Sequence, residues 1–598
     1  MNYAMKKSLQ SLGLAAAFSL VGTSAFAGLL KSPYMIYPGV NSQMEILWQD
    51  DATEAGNTLT WDTDPNFAAN PQSVTVPEYG VYNQHKYVIT GLTPNTKYYY
   101  KVADATNGAY GSGSFITAPL ESATAIRFLA MGDSRTWPVG VDNHMKTTKA
   151  FYSIPGNEDY QRLMIHNGDW VSTDNEGIWT TGWFDPTMID SVALRANVPL
   201  NGCKGNHDNT SGFSSTFPKY FPFPYTNQQP CSTDPASPDY MSKKTNGVFA
   251  CGNTPGYNFV HNLYWSFDYG PVHFTVLDEY SSYAPGSAQY AWLVNDLATT
   301  TKPWKILVYH EPAYSAGADG DNTTVRQLEP LVTQYNIDLI YCGHSHNYAR
   351  TGAYTLAQAG GDQIALNVPH ITSGGGGSDL YIIDYTNQGS WPHVITGWQA
   401  FEFMTFDVKG KDLTMTAYQI NNASLTSIVP LSSTFPADDG ASTLSIAPIE
   451  TTVLHHYTNV SPQISATIGN PVYNRATKLY TGNVTLTNNG PALTGNVDVV
   501  LDGILYLQGL GTANNQYDTH SPKVTSMIAN KPATGKNSTD PGLMTTVTLT
   551  NATGSNNGEP MIQATTAGLA NGASITVPLT FSNPTNAKIT FNPITYQE

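Results

Sequence analysis

Positive charge is what this chain has least of. Its 598 residues hold 28 Lys and Arg against 45 Asp and Glu, a formal net charge of −17, and charged side chains of both signs make up only 12%. Affinity for DNA or RNA comes largely from Lys and Arg neutralising phosphates, so nonspecific nucleic-acid binding is excluded on charge. Cysteines number only four, which fits an oxidising compartment in which at least one pair bonds. Beyond the first residues no apolar run approaches the length of a membrane span, so no spanning segment is expected in the mature chain.

The exception opens the chain. Lys6 and Lys7, the apolar stretch around Leu12 to Val21, and Ala25-Phe26-Ala27 follow the order of a secretory signal, predicted over 1–27. Its removal takes two lysines and no acid, moving the charge from −17 to −19. The expected location is outside the cytosol: secreted, periplasmic or on the cell surface.

Glycine and proline are plentiful, 51 and 38, and the chain is too long for one hydrophobic core. Residues 28–120 alternate apolar and polar positions in Met44–Trp48, Lys86–Thr90 and Tyr98–Val102, with Gly, Pro and Asn between, which predicts an N-terminal β-sandwich. Residues 121–425 read as a central α/β core, 426–470 as a Ser, Thr, Pro and Ala linker, and 471–598 as a C-terminal immunoglobulin-like β-sandwich. That last domain is expected to serve spacing, assembly or cell-surface contact. Cys231 and Cys251 bracket a polar loop and are expected to pair, while Cys203 and Cys342 each lie just before a block of candidate ligands.

Those blocks share one grammar, an apolar run followed by glycine or directly by a polar ligand. Arg127–Met131 leads to Gly132-Asp133, Leu163–Asn167 to Gly168-Asp169, and Leu200–Lys204 to Gly205-Asn206-His207-Asp208. Lys305–Tyr309 leads to His310, and Ile337–Tyr341 to Cys342-Gly343-His344-Ser345-His346. Parallel strands buried on both faces read as continuous apolar runs, and ligands in open α/β sheets gather beyond the strands' carboxyl ends. Five strand ends are therefore expected to converge, bringing Asp133, Asp169, Asn206, His207, His310, His344 and His346 together as oxygen and imidazole donors for metal. His166 and His261 fall outside the blocks and read as structural.

Five blocks in this order resemble the calcineurin-like metallophosphoesterase superfamily. The resemblance implies a four-layer αββα core. A preceding sandwich whose Gly91–Tyr100 stretch looks like a fibronectin type III corner makes the whole similar to the purple acid phosphatases. The resemblance implies hydrolysis of small-molecule phosphate esters, monoesters first and diesters or nucleotides second, at two metal ions (Fe, Zn, Mn or Mg). By the same resemblance Asp169 bridges the ions, Asn206, His310 and His344 complete one position, and Asp133 and His346 serve the other. His207 would donate a proton to the departing oxygen or stabilise phosphate, and Asp208 would orient His207.

Two positions depart from the family. Arg135 stands where most relatives carry a histidine, and Ser172 where purple acid phosphatases supply a tyrosine. Neither replaces the missing ligand well, since Arg stays protonated and Ser is a weak neutral donor. The first metal position is left with Asp133, Asp169 and His346, and Arg135 either reaches substrate phosphate or is a surface or helix-start residue. A surface adhesion or carbohydrate-binding protein that kept a degenerate core is the competing reading. The long segment 208–256, with Phe217, Phe221 and Phe223, is expected at the pocket mouth, and Trp137, Trp170, Tyr280 and Tyr283 stand as stacking or packing aromatics.

Overall fold

The computed structural model describes the chain from residue 28 onward, apart from short loop segments and the longer stretches 136–146, 152–159, 231–243, 250–258, 384–393, 422–444 and 503–547. The signal expected over 1–27, Trp137, and the Cys231–Cys251 pair lie outside the described residues.

Strands Leu29–Ile36, Met44–Asp50 and Gln84–Ile89 form one antiparallel sheet of the N-terminal domain. Gln72–Thr75, Thr58–Asp62, Lys97–Asp104 and Gly108–Ile116 form the other. Period-two alternation places Met44, Ile46 and Trp48 on one inner face and Leu59, Tyr100, Val102 and Phe115 on the other, and these pack as one core. The opposite faces do not all meet water. Tyr34 donates to the carbonyl of Tyr220 (2.8 Å) and buried Lys31 pairs with Glu176 (3.0 Å), while the hydroxyl of the inner-face Tyr100 reaches the carbonyl of Ala196 (3.0 Å), so this sandwich is docked on the next domain through satisfied polar groups.

The central domain is built on two mixed sheets. In the first the order is Leu200–Gly202, Met164–His166, Ala125–Met131, Glu402–Lys409, Asp412–Asn421 and Ser445–His455, the first three parallel. In the second it is Trp265–Tyr269, Val272–Val276, Trp304–Val308, Leu339–Cys342, His370–Ser373, Tyr348–Thr351 and Val394–Trp398, with four consecutive parallel members from Val272 to Ser373. Phe128 from the first sheet stacks on Phe406 beside it (4.6 Å between ring centres) and meets Phe274 of the second edge-on (5.3 Å). Full burial of each such ring is worth about 1.5–3 kcal/mol. Helix Ala288–Thr299, capped by Ser287, lays Leu293 and Leu297 on the outer face of the second sheet, where Leu307 and Ile340 receive them. Strands covered on both faces explain why the five apolar runs show no alternation.

The expected linker 426–470 needs correction. Ser445–His455 is the sixth strand of the first sheet, paired along Asp412–Asn421, and Ile464–Ile468 already belongs to the C-terminal domain. Pro448 is tolerated because this strand is at the sheet edge and Pro448 sits at an irregularity of the pairing. The C-terminal domain is sheet-rich, with Val484, Leu486, Val499, Leu501, Val577, Leu579 and Phe581 buried between its two sheets.

Candidate metal centre

Strand ends from both sheets meet at one place. Asp133, Asp169 and the Asn206 loop follow the three parallel strands of the first sheet, while His310 and the His344–His346 turn follow two parallel strands of the second. Asn167, fully buried, ties the sheets there, its amide donating to the carbonyls of Cys342 (2.6 Å) and Ser373 (2.9 Å).

The backbone at this junction is strained. Asp133, Asp169 and His344 all have positive φ, at 53°, 56° and 65°. Non-glycine residues seldom adopt that region, and such strain persists only where the surroundings enforce it, often at functional sites. Glycine beside them answers close approach. A Cβ on Gly343 would stand 2.4 Å from Asp133 Oδ2, so the sharp turn is made by His344 and the glycine makes room for the aspartate.

Distances define a donor set. Asn206 Oδ1 lies 3.1 Å from His310 Nε2 and 3.1 Å from His344 Nδ1, and His310 Nε2 lies 3.3 Å from Asp169 Oδ1. Ligands bound at about 2.1 Å to a shared ion stand roughly 3.0–3.4 Å apart, so this set fits one cation. Asp133, Asp169 and His310 also place one donor atom each within 4.8 Å of one another. On the other side His346 Nε2 is 3.5 Å from Asp133 Oδ1, yet the guanidinium of Arg135 lies among the same donors. Its Nε is 3.2 Å from Asp169 Oδ2, and its Nη2 donates to His346 Nε2 (3.3 Å). Four donors fit an ion at the first set, while the second already contains a cation.

Tautomers are fixed by carbonyls. His310 Nδ1 donates to Asn167 O (2.8 Å), His346 Nδ1 to Asp379 O (2.6 Å) and His207 Nδ1 to Ser172 O (2.8 Å). A carbonyl only accepts, so each Nδ1 keeps its hydrogen and each Nε2 presents its lone pair toward the site. Burial, with neighbouring positive groups, holds His344 down to about 3 and His346 to about 4, so both are neutral and able to ligate at ordinary pH. Burial pushes the Asp133 carboxyl well up. For Asp169 burial acts the same way, but His310, His207 and Arg135 outweigh it and hold the group below the usual range. Burial also lowers His207, against the pull of Asp169.

All nine residues expected at the site are near it, with altered roles for two. Arg135 is not a surface residue; its side chain is only 13% exposed. The bond that orients His207 goes to the Ser172 carbonyl, whereas buried Asp208 accepts backbone N–H groups of Gly205 (2.9 Å), Trp170 (3.1 Å) and Val171 (3.2 Å). Asp208 thereby clamps the Asp169 and Asn206 loops to each other. Trp170 is fully buried over His166 (3.8 Å between ring centres) and packs on Phe221, so it stacks no ligand. Phe217, Phe221 and Phe223 join the same core cluster instead of rimming the pocket. Cys203 and Cys342 are both buried free thiols. Sequence reasoning missed Asn167, Asp379, and Tyr381, whose ring stacks on His346 (4.0 Å).

Comparison with known proteins agrees with this geometry. Residues 126–348 match the family described as calcineurin-like phosphoesterase, and residues 32–117 the purple acid phosphatase N-terminal domain. Purple acid phosphatase 23 of Arabidopsis thaliana is 26% identical across 49% of this chain and 62% of its own length. Purple acid phosphatase 21 of the same plant is 29% identical across 48% and 57%. The chain thus spans little more than half the length of these relatives. Among solved structures, the purple acid phosphatase PPD1 from yellow lupin seeds superposes with a TM-score of 0.50 at 17% identity, covering 67% of this chain and 74% of that one, a likeness of fold.

Proposed function

We propose that this chain, which joins a purple acid phosphatase N-terminal domain to a calcineurin-like phosphoesterase domain, is a metal-dependent hydrolase of small phosphate monoesters. The observation that supports this best is the donor set Asn206, His310, His344 and Asp169, whose mutual spacing of 3.1–3.3 Å suits a shared cation. A cation held there supplies Lewis-acid activation of water and neutralises phosphoryl charge.

The chain's own residues divide the remaining work. Asp169 Oδ1 faces the ion position and also accepts the His207 N–H (2.9 Å), so its loop and the His207 loop move as one. His207 is the most exposed of the site histidines, 32% at the side chain, and its Nε2 is the nitrogen free to exchange a proton, since Nδ1 is held by Ser172. After Nε2 takes a proton from solvent at acid pH, the imidazolium gives that proton to the leaving oxygen as the ester bond breaks and returns to the neutral form. Arg135, permanently charged, offers guanidinium hydrogens to the phosphoryl oxygens.

Inorganic phosphate release from p-nitrophenyl phosphate tests the proposal. Activity that disappears on chelation and returns with added Zn²⁺, Mn²⁺ or Fe²⁺ is the expected result; turnover untouched by chelator rejects it. No described helix is long and apolar enough to cross a membrane. Export is proposed from residues 1–27, and cell fractionation checks it.

A further inference from the structure

The two oxygens of Asp169 face different cations. Oδ1 looks toward His310 Nε2 and the ion position bounded by Asn206 and His344, while Oδ2 forms an ion pair with Arg135 Nε at 3.2 Å. A bridging carboxylate between two metals would use both oxygens for metal. Here the second oxygen already has a positive partner.

The same guanidinium also occupies the lone pair that a second ion would need. His346 gives its Nδ1 hydrogen to the Asp379 carbonyl, which leaves only Nε2 able to ligate, and Nε2 accepts from Arg135 Nη2. An imidazole lone pair serves one hydrogen or one metal, not both. Asp133 Oδ1, 3.5 Å from His346 Nε2, has no hydrogen-bond partner among the described residues, nor have Asp169 Oδ2 and Arg135 Nε, so the Arg135–Asp169 contact is an ion pair held by charge and not by a directed hydrogen bond.

Arg135 is not placed there by a wandering side chain alone. Its backbone N–H donates to the Asp169 carbonyl (3.2 Å) and its carbonyl accepts from Ser378 Oγ (3.1 Å), so both sides of its backbone are tied to the walls of the site. Burial to 13% side-chain exposure makes departure costly, because the carboxylate of Asp169 would lose its partner. Arg does not deprotonate in proteins, so it can never become a ligand.

We infer that Arg135 stands in for one metal, so that the centre takes a single ion, at Asn206, His310, His344 and Asp169, with the guanidinium as its fixed second cation. This deepens the metallohydrolase reading and rests on it. The consequence for substrate is chemical. A guanidinium binds a phosphoryl group through two hydrogen bonds in one plane, as a lone divalent ion does not, which favours a terminal phosphate dianion over a diester.

The test is ion stoichiometry on the full chain, stripped with chelator and dialysed against Zn²⁺ or Mn²⁺, for wild type, Arg135→Gly and Arg135→His. One ion per wild-type chain and two per chain in Arg135→His, with spin-coupled Mn²⁺ pairs seen by electron paramagnetic resonance only in that variant, is expected. Arg135→Gly should admit the second ion more weakly. Two ions in wild type overturn the inference and leave the hydrolase reading standing. No ion in wild type removes both. One ion in all three proteins shows that Arg135 is not what excludes the second and likewise overturns it. Should the variants fail to fold, the wild-type ratio and its Mn²⁺ spectrum decide alone.

Discussion

His207 donates from Nδ1 to the backbone carbonyl of Ser172, 2.8 Å away, across 35 residues of sequence. The bond aims Nε2 into the cleft without using the Ser172 side chain at all. A general acid acts most where the leaving group is a poor one, so His207→Ala should lower kcat by about 10²-fold or more on an alkyl phosphate. The loss should be much smaller on p-nitrophenyl phosphate, whose departing oxygen needs little proton. Parallel kinetics on the two esters check this, and an equal loss on both would assign His207 to phosphate binding.

Asn167 holds three elements in register. Its side chain spans the two sheets through the carbonyls of Cys342 and Ser373, and its own carbonyl fixes the tautomer of His310. Asn167→Ala leaves two buried acceptors unpaired, at about 1–3 kcal/mol each. Thermal unfolding should show the loss, and metal affinity should fall about 10- to 100-fold because a metal ligand's support is disturbed. Lowered stability with unchanged affinity would separate Asn167 from the centre.

Far from the centre, His273 lies buried between Asp268 (2.7 Å) and Asp296 (2.9 Å). Burial alone would lower it, but the two carboxylates raise it from 6.5 to about 9. A raised histidine stabilises the fold fully below its unfolded value and loses that contribution as pH climbs through the folded one. Stability should therefore decline between about pH 6.5 and 9, by on the order of 3 kcal/mol. Unfolding midpoints for wild type and His273→Gln across that window test it; the variant should show the flatter profile.

The converging donor residues were legible because each follows a strand covered on both faces, which writes an apolar run and then a polar stop. Asp133, Asp169, Asn206, His310, His344 and His346 could be named that way. What could not be read depends on separations no local pattern carries. Arg135 could be placed at the site by its position two residues after Asp133, but its contact with His346, across 211 residues, has no trace in the sequence around it. Asn167 sits between a structural histidine and a glycine, where an asparagine usually means a turn. The aromatic segment 217–225 suggested a pocket rim, yet Phe221 is drawn under Trp170 by the apolar surface available there. Strand Ser445–His455 was hidden by its Ser, Thr and Pro content, which an edge position permits.

Anomalous diffraction from crystals of the full chain grown with Zn²⁺ tests the central claim most directly. A peak is expected about 2.0–2.2 Å from Asn206 Oδ1, His310 Nε2, a His344 ring nitrogen and Asp169 Oδ1. Absence of density there, with Zn²⁺ bound elsewhere or nowhere on the chain, would contradict it.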